Sequence, residues 1–419
     1  MRKPILLLLS VLSFAACNQK TKSSKESKTE AEVLKASLTT KLNDLLAPGY
    51  IKGFGVAIVN QDTTLYSKGF GYANTSEDVP YTANTLQNIA SVSKTLIGVA
   101  LLKAQEMGKL DINDPINDYL PFKVVNPAYP EEPITIKQLA THTGTIYDGD
   151  LYSEKSYIIE SEGLYEKAKA LQISEEFNSP EADMEMGDFL RNFLSKDGSW
   201  YLKTNYLENK PGERYEYSNV GATLAAYVLE LATGQKYSDF SSQYILKPLG
   251  MAATGWTFSD IDPSEHTKLY SLSGEEIPFY HLVTYPDGGL ITSVNDFSKY
   301  LRELILGFTG KGSLLSAESY RLLFSELLDE NHFEERDVDN PYDDEYNSGV
   351  FLGHTPEGYI GHTGGDPGVS TFMFFDPDTK IGKLLFINTD LDPEGAKQFF
   401  SIWKQLEQYE TQLEAAIRR

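Results

Sequence analysis

The chain has 419 residues, 41% of them hydrophobic, with 37 Lys and Arg against 60 Asp and Glu and a formal net charge of −23. That balance argues against nucleic acid and against electrostatic attachment to anionic lipid, since both need clustered cations. The length alone would allow two or three domains, and the apolar content suffices for a large core.

In chain order, Arg2 and Lys3 precede an apolar run from Ile5 to Phe14 and then Ala15-Ala16-Cys17. The run is shorter than the ~20 residues of a membrane-spanning helix and reads as a secretory signal covering residues 1–16. Small residues before Cys17, the single cysteine, resemble a bacterial lipoprotein cleavage site. Cys17 would then carry the lipid and hold the mature chain at the cell envelope, facing periplasm or exterior. Loss of Arg2 and Lys3 makes the mature chain more acidic still. With no second cysteine, no disulfide is expected. Residues 17–30, rich in Lys, Ser, Glu and Thr, suit a flexible tether, and residues 31–419 form the folded domain.

A helix is expected from Ala31 to Leu46, followed by a hairpin whose strands, Gly53 to Val59 and Thr63 to Ala73, alternate and contain glycine. Helical periodicity then runs from Leu86 to Met107, Val220 to Ala232, Asn295 to Leu306 and Gly395 to Ile417. Strand patterns return at Gly349 to Gly353, Gly358 to His362, Val369 to Phe375 and Lys383 to Asn388. Strands at both ends imply one mostly antiparallel sheet covered by the terminal helices. The middle, about residues 85–345, forms a largely helical subdomain inserted between sheet segments. The class is α/β (α+β), and the reaction site is expected between the two parts. Residues 145–210 are long for a connection, either a lid over that site or a helical insertion packed elsewhere. The loop 329–346 carries Asp337, Asp339, Asp343, Asp344 and Glu345. Pro341 falls where a calcium loop wants Asp or Asn, and no glycine follows, so a solvated acidic loop is the better reading.

Three short motifs carry the chemistry. Ser91-Val-Ser-Lys94 opens an apolar helix, Tyr217-Ser-Asn219 follows, and His362-Thr-Gly-Gly365 comes near the C-terminus. Each also has weaker copies: Ser401 to Lys404, Tyr72 to Asn74, His142 to Gly144 and Ser293-Val-Asn295. Context favours the first set, because Ser401 sits in an amphipathic helix whereas Ser91 precedes a buried one. Residues three apart share a helix face, so the Lys94 amine can reach the Ser91 hydroxyl. A serine hydroxyl attacks only when a neighbouring base takes its proton. Lys94 serves if burial or positive charge depresses its pKa, and Tyr217 serves instead if Lys94 depresses that of the phenol. Asn219 can donate to a substrate carbonyl and orient Lys94. The backbone amides of Ser91 and Gly365 would form an oxyanion hole.

With these motifs in this order, the chain resembles the serine beta-lactamase and DD-peptidase superfamily, within it the group of class C beta-lactamases, DD-carboxypeptidases, D-aminopeptidases and esterases. The similarity runs from about Lys41 to Leu391 and includes Leu139-Ala-Thr-His-Thr-Gly144, Pro211 to Gly221, Leu246 to Met251, Gly288 to Ser293 and Gly361 to Gly368. It implies Ser91 as acylated nucleophile, Lys94 and Tyr217 as acid/base pair, Asn219 as substrate-binding residue, and His362, Thr363, Gly364 and Gly365 along a third, substrate-lining strand. One position departs from the beta-lactamase pattern, where the third motif begins with Lys rather than His362. An unperturbed His is mostly neutral at pH 7, which weakens any anchor for a substrate carboxylate.

No Gly-x-Ser-x-Gly, His-Glu-x-x-His or Walker A motif occurs, and the six histidines are dispersed, so no cofactor or metal is expected. His142 is expected to brace a turn near the site. Two function classes remain: a serine hydrolase acting on a small-molecule or peptide substrate, and a catalytically idle lipoprotein using the same cleft for binding. The intact Ser91, Lys94 and Tyr217 favour the first.

Overall fold

The computed structural model describes residues 29–171, 173, 177–334, 336 and 340–418. Residues 1–16, read as a secretory signal, Cys17, and Asp337 and Asp339 of the acidic loop lie outside them.

Alternation of apolar side chains builds a seven-stranded antiparallel sheet. Its order is Gly353–His354, Ile360–Asp366, Val369–Asp376, Ile381–Ile387, Gly53–Asn60, Thr64–Asn74 and Val79–Pro80. The two ends of the chain meet inside it, with Phe54 opposite Ile387 and Val56 opposite Leu385. Because successive side chains point to opposite faces, Phe54, Val56, Ile58, Leu385 and Ile387 face outward. They pack on Leu38 and Leu42 of the helix Glu30–Asp44 and on Phe399, Ile402, Trp403 and Leu406 of the helix Pro393–Arg418. Ala57, Val59, Leu384 and Phe386 face the other way, onto Phe297 and Leu301 of the helix Val294–Phe308. Each large side chain buried this way contributes about 1.5–3 kcal/mol. The expected sheet, covered on one face by the terminal helices, is thus the observed one.

Between residues 85 and 345, described strands are no longer than three residues, and helices carry the structure. At their centre lies Lys94–Glu106, whose Leu96, Ile97, Val99 and Leu101 are all buried. A glycine inside a helix ordinarily costs ~1 kcal/mol relative to alanine. Gly98 is required here, since a Cβ would come within 2.6 Å of the Val350 carbonyl oxygen.

Two expected elements change. The helix expected from Leu86 begins only at Lys94, preceded by a two-residue strand, Gln87–Asn88, and a 3₁₀ turn, Ala90–Ser93. The strand expected over Gly349 to Gly353 shrinks to Gly353–His354, because Phe351 adopts φ +51° and its amide donates to the Ala140 carbonyl. Its ring stands edge-on to His142, 5.3 Å between centroids, so tertiary packing draws this segment off the sheet.

Candidate active site

The first motif is set by a strained residue. Ala90 has φ +49°, a left-handed conformation that costs an L residue roughly 1–2 kcal/mol. The turn lifts Ser91 toward the cleft; of residues 91–100 it alone is partly exposed. The third strand presses directly on this turn. A Cβ on Gly364 would lie 2.6 Å from the Ile89 carbonyl oxygen and 3.1 Å from the Ala90 Cβ, so only glycine permits the approach. Thr371, paired with Gly364, donates its hydroxyl to the same Ile89 carbonyl at 2.8 Å. Gly365, one residue on, is exposed, with nothing within 4 Å of a hypothetical Cβ.

Lys94 is completely buried, and its Nζ has three partners: Ser91 Oγ at 2.9 Å, Asn219 Oδ1 at 2.6 Å and the Asp287 carbonyl at 2.8 Å. An ammonium fills all three as donor. After loss of a proton the amine still donates to the amide and carbonyl oxygens, which can only accept. Its lone pair is then left for the Ser91 hydroxyl, the one partner able to donate. Burial lowers the Lys94 pKa, against the opposing charges of Asp287, Asp344, Asp366 and Asp148. The geometry thus suits proton removal from Ser91.

Tyr217 completes the group. Its ring lies 5.1 Å from Lys94 Nζ and stacks on His142, 4.6 Å between centroids. Its buried hydroxyl is close enough to Ser91 for the serine to ease the phenol's ionisation, yet makes no hydrogen bond of standard geometry among the described residues. Burial, reinforced by Asp344, holds the Tyr217 pKa well above 10. The possibility that Lys94 makes it a phenolate base is therefore corrected: Tyr217 is a neutral phenol. His142 accepts from the Ser218 amide at Nδ1, 3.1 Å away, and burial, with Lys94 and His362 nearby, keeps it neutral.

His362 also departs from expectation. It is buried, donates from Nδ1 to the Thr363 carbonyl at 2.5 Å, and approaches the Asn347 amide through Nε2 at 3.3 Å. Burial, opposed by the Thr363 bond and reinforced by Lys94, drops its pKa to about 3. It does not present a cation to a carboxylate. Thr363 donates its hydroxyl to Asp344 at 3.2 Å.

Four aspartates ring Lys94, and their roles are not visible in the motifs. Asp148 accepts from the Ser218 hydroxyl and the Asn219 amide, each at 2.6 Å, and from the Val220 amide at 3.1 Å. It thereby caps the helix Asn219–Thr233, with the Ser218 hydroxyl bonded to the Gly221 amide. Asp287 accepts from Tyr152 and Thr223, and burial raises its pKa to about 6. Asp366 accepts from Tyr157 at 2.6 Å, has an orphaned buried Oδ2, and is raised by burial to about 7. Asp344 is raised by burial to about 6. Asp344 is thus not a solvated loop residue as expected. Asp148, Tyr152 and Tyr157 come from the 145–210 insertion, which packs into the site. Among the described residues no three His, Cys, Asp or Glu side chains are placed to share a metal ion.

Of the competing motif copies, the one at His142 lies in the site, stacked on Tyr217, and the others lie elsewhere. Ser401 is exposed and bonds the Lys397 carbonyl. Ser293 caps the helix Val294–Phe308, Asn295 bonds Ser67, and Tyr72 is 44% exposed on its strand. A cavity of about 1630 Å³, lined among others by Phe122, Tyr227, Trp256 and Tyr285, does not include Ser91, so volume alone does not mark the reaction centre.

Comparison with known proteins bears on the family and the fold. The Beta-lactamase family model matches residues 38–407. Protein flp of Staphylococcus aureus (strain MW2) is 28% identical over 349 residues, 82% of this chain and 61% of that protein. The chain therefore spans about three fifths of the length of that relative. Among solved structures, D-amino acid amidase from Ochrobactrum anthropi SV3 superposes with a TM-score of 0.66 at 20% identity, covering 92% of this chain and 100% of that one. The octameric penicillin-binding protein homologue from Pyrococcus abyssi gives 0.64 at 22%, covering 88% and 76%. The family model, which spans most of the sequence, places this chain in the Beta-lactamase family.

Proposed function

We propose that this protein is a serine hydrolase that cleaves an amide or ester through an acyl-enzyme on Ser91. The observation that carries this reading is the contact set of Lys94, in which Ser91 is the one partner with a proton to give. Lys94 takes that proton as Ser91 Oγ attacks the acyl carbonyl. The backbone amides of Ser91 and Gly365 hold the oxyanion, and Asn219, its oxygen on Lys94, offers its NH₂ to the substrate. Tyr217, a neutral phenol beside Ser91, gives its proton to the leaving group and recovers one from the Lys94 ammonium, which returns Lys94 to the free amine. Water then attacks the acyl-enzyme, giving a proton to Lys94 as Ser91 regains its own, and frees the acid. The family range covers DD-carboxypeptidase-like, D-amino-acid peptidase-like and beta-lactamase-like substrates. Esterase action is a second reading, favoured by the buried, neutral His362. The leader and Cys17 support work at the cell envelope on a lipid anchor; a Cys17→Ser protein that stayed in the detergent phase would count against it.

The test is covalent. A fluorophosphonate should add once to the wild-type protein by intact mass and not to Ser91→Ala, while Ser401→Ala labels normally. A folded wild-type protein that takes no label belongs to the idle, ligand-binding class instead.

A further inference from the structure

The charges around Ser91 are lopsided. Lys94 is the cation acting on Asp148, Asp287, Asp344, Asp366, His142 and His362 alike, and it is sealed from solvent. His362 is neutral and buried, and the Thr363 hydroxyl is committed to Asp344. A substrate carboxylate in the hollow beside the third strand would find no cation among the described residues that line it and would meet Asp344 there. Like charges there cost more than in bulk water, because the local dielectric is lower.

The same strand offers a berth of the opposite kind. A hollow of about 300 Å³ opens beside it, lined by Asp344, Thr363, Gly364, Gly365, Phe372 and Phe400. Asp344 supplies a carboxylate there, and aromatic faces attract cations. Gly365 continues the exposed edge toward the Ser91 turn. Tyr217, whose buried hydroxyl has no hydrogen bond of standard geometry among the described residues, has its pKa raised first by burial and then by the charge of Asp344, so the carboxylate lies within electrostatic reach of the Ser91 site. The net charge of −23 draws cations toward the molecule as a whole.

We propose that the cleft selects substrates bearing a positively charged amino group, such as amino-acid amides or esters with a free amine, and turns away carboxylates, with Asp344 setting the preference. This rests on the serine-hydrolase reading and narrows it, moving DD-carboxypeptidase-like and beta-lactamase-like substrates behind amine-bearing ones.

The experiment compares D-alanine, N-acetyl-D-alanine and N-succinyl-D-alanine 4-nitroanilides, which share a leaving group and carry a cation, no charge and an anion. The L series and the pair D-alanyl-D-alanine and D-alanyl-D-alaninamide run alongside. At pH 7, where the free amine is mostly protonated, we expect kcat/KM to fall at least tenfold from amine to acetyl and again to succinyl, and the dipeptide amide to exceed the free acid. Asp344→Asn should shrink these ratios about tenfold and Asp344→Glu should retain them, with thermal midpoints checking the fold. Ser91→Ala, which needs no chemistry, should bind D-alaninamide at least tenfold more tightly than its N-acetyl form by calorimetry. Equal binding of the two, or ratios unchanged in Asp344→Asn, overturns the proposal. Loss of fluorophosphonate labelling with the binding preference intact overturns only the hydrolase reading.

Discussion

The Asp148 carboxylate, in the 145–210 insertion, accepts the backbone amide of Asn219 at 2.6 Å, so an inserted segment caps the helix that bears the second motif. Removing a helix cap costs about 0.5–2 kcal/mol. Asp148→Ala should therefore lower the thermal midpoint and, by loosening Asn219 against Lys94, lower kcat as well. Asp148→Asn keeps an acceptor and should recover most of the stability. Calorimetry with steady-state kinetics checks both, and an Asp148→Ala protein as active as wild type would separate cap from catalysis.

In the proposed mechanism Lys94 and Tyr217 share one proton path with Ser91. Lys94→Ala and Tyr217→Phe should each reduce kcat by about 10²–10⁴, the range for positioned proton transfer. The double variant should lose little beyond the worse single one, as for residues acting as a unit. Because burial lowers the Lys94 pKa, kcat/KM should rise with pH and level off before the ordinary lysine range near 10.5. Losses that multiply, or a rise that continues past that range, would point to separate roles.

His362 carries no charge at working pH, since burial holds it near 3. Its protonation should leave no limb near pH 6.5 in the activity profile. His362→Lys should not improve binding of carboxylate substrates. It inserts a second ammonium into a buried space facing Lys94, and should lower the thermal midpoint. Tighter penicillin binding by His362→Lys at pH 8 would show that the strand can turn this side chain into the cleft.

Asp366 prefers its proton in the folded state, with a pKa near 7 against 3.8 when unperturbed. Between those values the native chain binds more protons than the unfolded one, so stability from this group is full below about pH 4 and is lost as pH rises through 7. Asp287 and Asp344, raised to about 6, act in the same sense. His362 and His266, depressed to about 3 and 4, act in the opposite one. The difference between proteins isolates one group: the midpoint of Asp366→Asn should gain on wild type from pH 4 to pH 8. A constant difference across that range would mean that Asp366 titrates normally.

Much of this site is legible in the sequence because its parts are local. Ser91 and Lys94 are three apart, so one turn brings them together whether it begins as 3₁₀ or α. Tyr217 and Asn219 flank a helix cap, and alternating strands at the two ends announce a sheet. The chain also declares its acidity and its single cysteine outright.

Only the tertiary structure could decide ionisation and reach. A pKa depends on how much water and charge surround a group, and both come from segments far away in sequence. Asp148, Asp287, Asp344 and Asp366 span more than two hundred residues yet act on one amine. His362 reads as a possible anchor in a motif, but packing beside Asn347 seals it as a neutral side chain. Asp344 reads as one acid in a solvated loop, until the turn 344–346 lays it against Thr363. Periodicity and spacing determine which residues share a turn or a strand; desolvation, which needs the whole packed chain, determines the charge they bear.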